Sequence, residues 1–494
     1  LVKCVSWRCF SFTVRQVEVQ LLNDTEQLER FQEVPFPVQT NVRIFNITNE
    51  AEVLAGGVPV VREVGPYKYK YDTISYRRVD IMEFDAEASA PFTLDDNVTV
   101  VNVAYHVSTK LWLVESLFLI SLWKFHVGVP FDGQRTETGI LQTAEKLFPG
   151  LMGALNLGIK DIFGNNSGPI MTVRVGDLLF DGLPICKDPG LIGIIACTQI
   201  RALADDVRNV ENMADGSMRF SILKYVSKYL TCDLYVVSRG IANANELGMI
   251  SSYNGSAYLQ NWINQTESEA PSVCNMINGT DSGIFPPFVN RDKSVFLRYQ
   301  YDTEYEDIPV ARFSANEWFL DNNDGCFCLN ATEGITREDG CLLKGAMELY
   351  SCAYLVLTYP HFLYADFTYK NGVVGVSPVE DDHRIFLDLE PYTGTVIRGM
   401  KRAQFNVFLR PVTSIKATQN LRLTLAPILW VEEVIRLIRR DALDICTYIL
   451  IHTYLTYTYI CPRICLNIPM YIFNSFVNVK YIYMHIQVEQ MDGT

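Results

Sequence analysis

The sequence lacks the short motifs that mark most catalytic sites. It contains no Gly-x-Ser-x-Gly nucleophile elbow, no His-Glu-x-x-His zinc motif, no Walker loop and no Gly-x-Gly-x-x-Gly turn. Histidine, the commonest general base, occurs only six times. We therefore predict that the protein is not an enzyme and needs neither a cofactor nor a metal.

Four residues are the strongest remaining candidates for chemistry. His361 and His383 each have carboxylates nearby in the sequence, as a general base would need. Asp388 and Glu390 are two apart on a predicted strand and share one face, as paired glycosidase carboxylates could. Surface hydrogen bonds account for the histidines, and two solvated acids on a strand are common. We therefore assign no catalytic residue.

Basic residues are scarce relative to acidic ones. The 494 residues include 42 Lys+Arg and 56 Asp+Glu, a formal net charge of −14. A phosphate-backbone binder normally carries a concentrated basic face, so we exclude nucleic acid as a partner. The hydrophobic fraction of 49% excludes a disordered chain. There is no repeat and no Pro/Ser-rich linker, which favours one large α+β domain.

The sequons indicate a secreted or lumenal surface. Asn-x-Ser/Thr occurs at Asn23, Asn46, Asn97, Asn165, Asn254, Asn264, Asn278 and Asn330. A single sequon means little, but eight between positions 23 and 330 and none in the last 160 residues indicate a surface that carries glycans. We predict glycosylation at all eight.

The cysteines support the same compartment. Eight of the 13 lie between positions 186 and 352, and five of these fall between 274 and 352. In an oxidising compartment such a cluster predicts a disulfide framework. Zinc is the alternative, but Cys326-Phe-Cys328 has no matching Cys-x-x-Cys or His pair.

The two ends of the sequence do not match ordinary membrane helices. Leu1–Phe12 is too short and too charged to cross a bilayer. Ile445–Pro462 has 18 residues without a formal charge, but its alternating Tyr and Thr suit a strand better than a helix. Leu111–Phe125 is apolar on nearly every face, and we interpret it as a buried core helix.

Local patterns predict strands interspersed with short helices. Asn49 is expected to cap a helix over Glu50–Ala55, and Gly65-Pro66 to form a turn between two strands. The predicted elements also include strands at Val58–Glu63, Tyr67–Tyr71, Val98–Val107, Arg384–Glu390 and Ala403–Leu409, and helices at Ile140–Phe148 and over Ile200, Leu203, Val207 and Val210.

Seven short motifs follow one another along the chain. They are Phe45-Asn-Ile-Thr-Asn49, Glu63-Val-Gly-Pro-Tyr67, Leu178-Leu-Phe-Asp-Gly182, Cys274-Asn-Met-Ile-Asn-Gly-Thr-Asp281, Phe285-Pro-Pro-Phe288, Pro360-His-Phe362 and Asp388-Leu-Glu-Pro391. In order and spacing they resemble the class B scavenger receptor family. Cys186–Gly193 with Cys197, and the block from Glu317 to Cys352, look most like its insect sensory branch. The resemblance covers roughly residues 16–108 and 140–435.

The resemblance implies a large single glycosylated ectodomain of residues 16–435 with an antiparallel β-barrel core, interspersed short helices, a helical apex and an internal lipid tunnel. It implies a plasma-membrane protein, with the bulk of the chain extracellular, that binds and transfers odorants, pheromones or fatty acids in chemosensation. Hydrophobic small molecules or lipids, the membrane and odorant receptors are the implied partners. Ligand contacts remain unassigned, because the family's apex helices align with the atypical region Ser108–Pro169.

The disulfides that the resemblance implies are Cys274–Cys326 and Cys328–Cys341. A third family bridge would join Cys352 to a cysteine that is missing between Phe288 and Tyr299. Cys352 is then unpaired or joins Cys232. Cys186 and Cys197 are expected to close their own short loop.

Three regions depart from the family pattern. Residues 1–15 are interpreted as the remnant of, or replacement for, an N-terminal membrane anchor, and residues 108–139 as an insertion. Residues 436–494 form a Tyr/Thr-rich tail in place of a C-terminal membrane helix. An imperfect gene model, also short of about a dozen residues near position 292, would account for these departures.

Three other functions stay open on the sequence. A general scavenger receptor for lipoprotein or apoptotic-cell ligands uses the same architecture. A secreted hydrolase would require Asp388 or His361 for turnover. A purely adhesive protein would have a solid core without bound lipid.

Overall fold

The computed structural model describes residues 20–32, 38–71, 82–106, 158–204, 209–224, 235–259, 275–277, 279–280, 285–286, 297–321, 328, 332, 334–349, 355–391, 394–412 and 415–436. These residues form a mixed α+β fold in which antiparallel sheet dominates. The α-helices that lie wholly within the described residues are α1 Glu26–Gln32, α2 Glu50–Leu54, α3 Ala86–Ser89, α4 Leu191–Ala204, α5 Phe367–Asn371 and α6 Glu380–His383.

Seventeen strands are present in the described residues. They are β1 Val38–Ile47, β2 Val61–Tyr71, β3 Met82–Phe84, β4 Asn97–Val101, β5 Ile170–Arg174, β6 Leu183–Ile185, β7 Val210–Asn212, β8 Met218–Phe220, β9 Tyr235–Val237, β10 Ile250–Tyr253, β11 Leu297–Tyr305, β12 Ile308–Ala315, β13 Ala346–Leu349, β14 Leu355–Thr358, β15 Phe386–Leu389, β16 Val396–Leu409 and β17 Thr424–Arg436.

A ten-stranded antiparallel sheet forms the centre of the fold. Its path runs β11-β12-β15-β16-β17-β1-β2-β3, with β14 also on β16 and β13 on β14. β1 pairs with β17 from Val38↔Ile435 to Ile44↔Leu429, so the two strands farthest apart in sequence are neighbours. Among the described strands the path is open, with β11 and β3 at its ends, and no ladder between them closes the expected barrel.

The two longest strands, β16 and β17, are largely buried on both faces. β17 is buried almost continuously from Thr424 to Trp430, a pattern typical of a strand inside a covered sheet rather than of one with a wet face. β16 pairs with it over twelve register positions, from Arg398↔Arg436 to Leu409↔Thr424. This ladder lies at the centre of the sheet.

The turn predicted at Gly65-Pro66 is wrong. β2 continues through both residues as one strand, and the register on β1 moves from Val42↔Tyr67 to Ile44↔Val64, so two residues oppose Arg43. This β-bulge accommodates a proline, which has no N–H to donate to the ladder. Gly65 has φ +126°, and a Cβ there would lie 2.8 Å from the Val42 carbonyl oxygen.

Other local predictions hold in part. α2 begins after Asn49, but the Asn49 side chain makes no cap hydrogen bond and instead accepts from the Val60 N–H at 2.8 Å. The strand at Val98 ends at Val101 rather than at Val107, and Val210 lies in β7 rather than on a helix face. The predicted helices at 111–125 and 140–148, and Ile445–Pro462, lie outside the described residues.

One large apolar cluster fills the interior. It joins one face of the sheet (Val42, Ile44) to β4 (Val100) and to the segments around Phe163 and Leu179. The cluster connects elements from almost the whole length of the described chain.

Candidate functional site

Five polar and aromatic side chains meet between the sheet and the segment that follows β14. We call Glu63, Arg43, Trp430, His361 and His383 the Glu63 cluster. The first three come from the adjacent strands β2, β1 and β17, and the histidines come from residues 359–383. His361 is 7% exposed and His383 6%.

Glu63 is the hub of this cluster. Its Oε2 lies 2.7 Å from the His361 Nε2 and accepts a hydrogen bond from the Trp430 Nε1–H at 2.9 Å. Its Oε1 lies 3.6 Å from the Arg43 Nε, and the Arg43 guanidinium stacks over the Trp430 ring at 4.4 Å. Burial alone would raise the pKa of Glu63, but the bonds from His361 and Trp430 and the charge of Arg43 outweigh it. The pKa of Glu63 is therefore lowered.

The hydrogen bonds of His361 define its tautomer. The Ser377 backbone N–H donates to the His361 Nδ1 at 3.0 Å, so Nδ1 carries no proton and Nε2–H donates to Glu63. Both ring nitrogens are therefore used inside the protein. No lone pair of His361 is left to act as a base on a substrate.

The backbone at His361 is held in an unusual conformation. His361 and Phe362 have φ of 54° and 58°, values that non-glycine residues adopt only when their surroundings enforce them. The His361 N–H donates to the Gln404 Oε1 at 2.6 Å, and Gln404 in turn donates to the Asn406 Oδ1 at 2.7 Å. These two fully buried amides of β16 fix the segment on the sheet.

His383 stacks on His361 with ring centroids 4.4 Å apart. Its Nδ1 accepts from the Val379 N–H at 2.9 Å, and its ring meets the Trp430 ring edge-on at 5.7 Å. Burial is the main cause that lowers the pKa of His383 to about 4. Near neutral pH this ring is therefore uncharged.

A buried ion pair adjoins the cluster. The Arg402 Nε donates to the Glu432 Oε1 at 2.9 Å, and the Asn41 Nδ2 donates to the Glu432 Oε2 at the same distance. Arg402 also donates to the Asp381 and Arg384 carbonyl oxygens at 3.0 and 2.7 Å, which ties α6 to the sheet. Burial raises the pKa of Glu432, but these partners and Arg43 more than offset it, so the net change is a lowered pKa.

Asp388 forms a second charged centre. The interpretation of this residue as a solvated acid on a strand is wrong. The side chain is fully buried and accepts from Arg312 Nε and Nη2, each at 2.7 Å, and from Arg398 Nε at 3.0 Å. Glu390 is only 7% exposed, and a register shift between Asp388 and Leu389 separates the two acids. Both carboxylate oxygens of Asp388 thus accept from arginines, which argues against a role as a free acid or nucleophile.

Three of the four candidates are therefore placed in two separate groups. The structure joins His361 to His383, but Asp388 belongs to the arginine pair of the neighbouring strands. Within the described residues no group of three His, Cys, Asp or Glu side chains is arranged to hold a metal. The sequence indicated Glu63 only as part of a motif, and no spacing pattern linked it to His361.

Two disulfide bonds are present among the described cysteines. Cys186 is bonded to Cys197, and Cys328 to Cys341. The first bond ties the N-terminal half of α4 to the end of β6. Cys232, Cys274, Cys326 and Cys352 lie outside the described residues, so the expected Cys274–Cys326 bond stays a prediction.

Five of the eight sequons lie in described residues. Asn23, Asn97, Asn165 and Asn254 are exposed. Asn46 is half-buried, and its Oδ1 accepts from the Thr99 N–H at 2.7 Å. Asn264, Asn278 and Asn330 lie outside the described residues, and glycosylation at every sequon stays a prediction.

Among the helices of the described segments, none combines the length and the apolar character that crossing a bilayer requires.

Comparison with known proteins gives a consistent result over most of the chain. A family model described as "CD36 family" matches residues 1–473. The chain is 34% identical over 469 residues to sensory neuron membrane protein 2 of Aedes aegypti, covering 85% of each protein. It is 33% identical over 470 residues to the protein of the same name from Drosophila melanogaster, covering 85% of this chain and 84% of the relative. Sensory neuron membrane protein 1 of Pediculus humanus subsp. corporis is 29% identical to it over 463 residues, which cover 87% of this chain and 80% of the relative.

Proposed function

The chain belongs to the CD36 family, the class B scavenger receptors, and on that premise we propose that it is a non-enzymatic membrane receptor or accessory protein in chemosensation. It binds hydrophobic ligands such as odorants, pheromones or fatty acids and transfers them. The observation that carries the proposal is the similarity to sensory neuron membrane proteins along 85% of the chain, rather than along one segment.

Transfer of such ligands needs no chemical step. A long-chain molecule loses about 0.8 kcal/mol of favourable burial for each CH₂ that enters water. A continuous apolar path therefore speeds transfer by removing that barrier. In this proposal the sheet closes into a barrel around an internal tunnel below a helical apex.

The contacts of the titratable residues favour binding over catalysis. Both nitrogens of His361 are bonded inside the protein, and Asp388 is neutralised by two arginines. These groups hold structural elements together and offer no reactive atom to a ligand. We propose that His361 keeps the 359–383 segment fixed on the sheet and that Asp388 holds β12, β15 and β16 together.

The proposed cellular location is the plasma membrane, with the bulk of the chain extracellular. The two disulfide bonds and the four exposed sequons support an oxidising, glycan-bearing environment. In this arrangement residues 16–435 form the ectodomain, and the segments 1–15 and 436–494 occupy the positions of the membrane anchors. Odorant receptors are proposed as partners in the sensory membrane.

Purification of the full chain from a secretory host, followed by mass spectrometry of bound lipids, tests this proposal. We expect acyl chains to copurify, and reconstituted protein to accelerate movement of a fluorescent fatty acid into acceptor vesicles. Vesicles that contain the protein denatured by heat are the control. Lipid-free protein that leaves the transfer rate at the control value would refute the proposal.

A general scavenger receptor for lipoprotein or apoptotic-cell ligands is the alternative within the same family. The tissue of expression distinguishes the two. Antennal expression supports chemosensation, whereas haemocyte or gut expression supports uptake of larger lipid particles.

A further inference from the structure

The exposed apolar side chains of this protein are concentrated in one part of the described chain. Six of the large hydrophobic residues that are more than a third exposed are Tyr235, Val236, Ile241, Met249, Tyr258 and Met276. We call the surface formed by residues 235–259, 275–277 and 279–280 the hairpin surface. Concentrated exposed apolar groups on a soluble domain normally indicate that something covers them.

This surface has few charged side chains to make it soluble. Residues 235–259 contain only two charged side chains, Arg239 and Glu246. The Arg239 guanidinium donates to the Leu21 carbonyl oxygen and, at 3.1 Å, to the Asn23 Oδ1. Glu246 accepts from the Asn243 Nδ2 at 2.8 Å. Yet three of the eight sequons, Asn254, Asn264 and Asn278, fall between positions 235 and 280.

Asn254 stands at the tip of a tight hairpin. Tyr253 and Ser256 exchange backbone hydrogen bonds of 2.8 and 3.0 Å across the two-residue loop Asn254-Gly255. These two residues have φ of 48° and 82°, as a type I′ turn requires. A Cβ added at Gly255 would meet nothing within 4 Å, so the space around the tip is open.

An aromatic pair adjoins this tip. Tyr253, the residue before Asn254, is the cross-strand partner of Tyr235, and the two rings lie 4.7 Å apart. Tyr235 is 57% exposed and its neighbour Val236 54%. The face of an aromatic ring carries negative charge density and attracts the weakly positive C–H groups of a sugar ring. A saccharide attached at Asn254 begins one residue from this pair.

We propose that the N-linked oligosaccharide on Asn254 packs against Tyr235 and Tyr253. There it shields the hairpin surface and stabilises the two-stranded β9–β10 sheet. The glycan is thus a structural part of this sheet as well as a solubilising group. A two-stranded sheet as short as β9–β10 has little stability of its own, so a packed sugar would add to it measurably.

Hydrogen exchange on the full-length glycoprotein tests the proposal through the peptide that covers residues 235–259. We expect Asn254→Gln to raise amide exchange there severalfold, and Tyr235→Ser to do the same in the glycosylated protein. In the Asn254→Gln background Tyr235→Ser should add nothing further, because the two residues act through one contact. Tyr235→Phe keeps the ring and should leave exchange unchanged.

Asn97→Gln is the matched control. Asn97 is also exposed and also lies on a strand, but its cross-strand partner is Arg174 rather than an aromatic residue. Its loss should leave exchange in 235–259 unchanged.

Three results would overturn the proposal. One is the absence of a glycan on Asn254 by mass spectrometry, and another is equal exchange with and without it. The third is labelling of residues 235–259 by a photoreactive lipid in reconstituted vesicles, which would assign the surface to the bilayer instead.

Discussion

Glu63 and His361 are 298 positions apart in the sequence, and their side chains meet with the carboxylate Oε2 2.7 Å from the imidazole Nε2. The contact fastens the 359–383 segment to the sheet at β2. Trp430 donates to the same oxygen from β17, so one carboxylate joins three parts of the chain.

Replacing the Glu63 carboxylate should loosen this junction. Glu63→Gln offers a neutral amide to two donors, and a bond to a charged group contributes about 1.5–3 kcal/mol, so we expect a loss of about 1–2 kcal/mol in the free energy of unfolding. Thermal unfolding followed by fluorescence measures it. Glu433→Gln, which removes an exposed pair with Lys401, should cost less than about 0.5 kcal/mol. Equal losses in the two variants would contradict the assigned role.

Acid should destabilise the fold through His383. The pKa of this residue is lowered from 6.5 to about 4 in the folded chain, so the unfolded chain binds the proton more readily. The contribution of His383 to the free energy of unfolding is fully present above pH 6.5. It is lost as the pH drops from 6.5 towards 4, by at most about 3 kcal/mol.

Below pH 4.5 the lowered pKa values of Glu63 and Glu432 extend the loss. Melting temperatures between pH 7.5 and 4 measure the dependence. His383→Asn keeps an acceptor for the Val379 N–H and should flatten the curve between pH 6.5 and 4. A variant curve parallel to that of the wild type would rule out His383 as the source.

Asp388 should be among the least tolerant charged positions. Asp388→Asn leaves Arg312 and Arg398 without their shared counter-ion in a buried site, a change that costs about 3 kcal/mol or more. Secreted yield and melting temperature report the effect. The control is Asp95→Asn, which breaks a pair with Arg174 of similar length (2.8 Å) at the surface and should change little. A near-neutral Asp388→Asn would show that the arginines are adequately solvated.

Gly65→Ala should disturb the bulge of β2. A Cβ at φ +126° is strained in itself and would lie 2.8 Å from the Val42 carbonyl oxygen, so we expect a loss of about 1–3 kcal/mol. Chemical denaturation measures it. Gly279→Ala meets no atom within 4 Å and is the control. Full stability of Gly65→Ala would mean that the ladder shifts to a register without the bulge.

Local structure was predictable where the residue pattern is regular. The alternation over Arg384–Glu390 and Ala403–Leu409 located β15 and the second half of β16. The first half of β16, Val396–Lys401, was missed because both of its faces are largely buried and its hydrophobic residues do not alternate. Gly65-Pro66 has the composition of a turn, and only the pairing partner β1 makes it a bulge.

The Glu63 cluster lay beyond sequence reasoning for a different reason. Its members come from four segments, and topology alone brings them together. His361 was noticed because of carboxylates close to it in the sequence, but its partner is Glu63, on a strand near the other end of the described chain. A pattern within a short window cannot specify a contact of that range.

The position of β17 constrains how the protein is made. It lies between β16 and β1, so it joins the N-terminal strands β1–β3 to the later strands of the sheet, although it is the last of the described strands to leave the ribosome. Until then β1 and β16 each present an unpaired edge, which is where aggregation starts. Biogenesis must therefore protect two half-sheets until residue 436 has emerged, and a truncation before β17 should yield aggregate rather than a smaller folded domain.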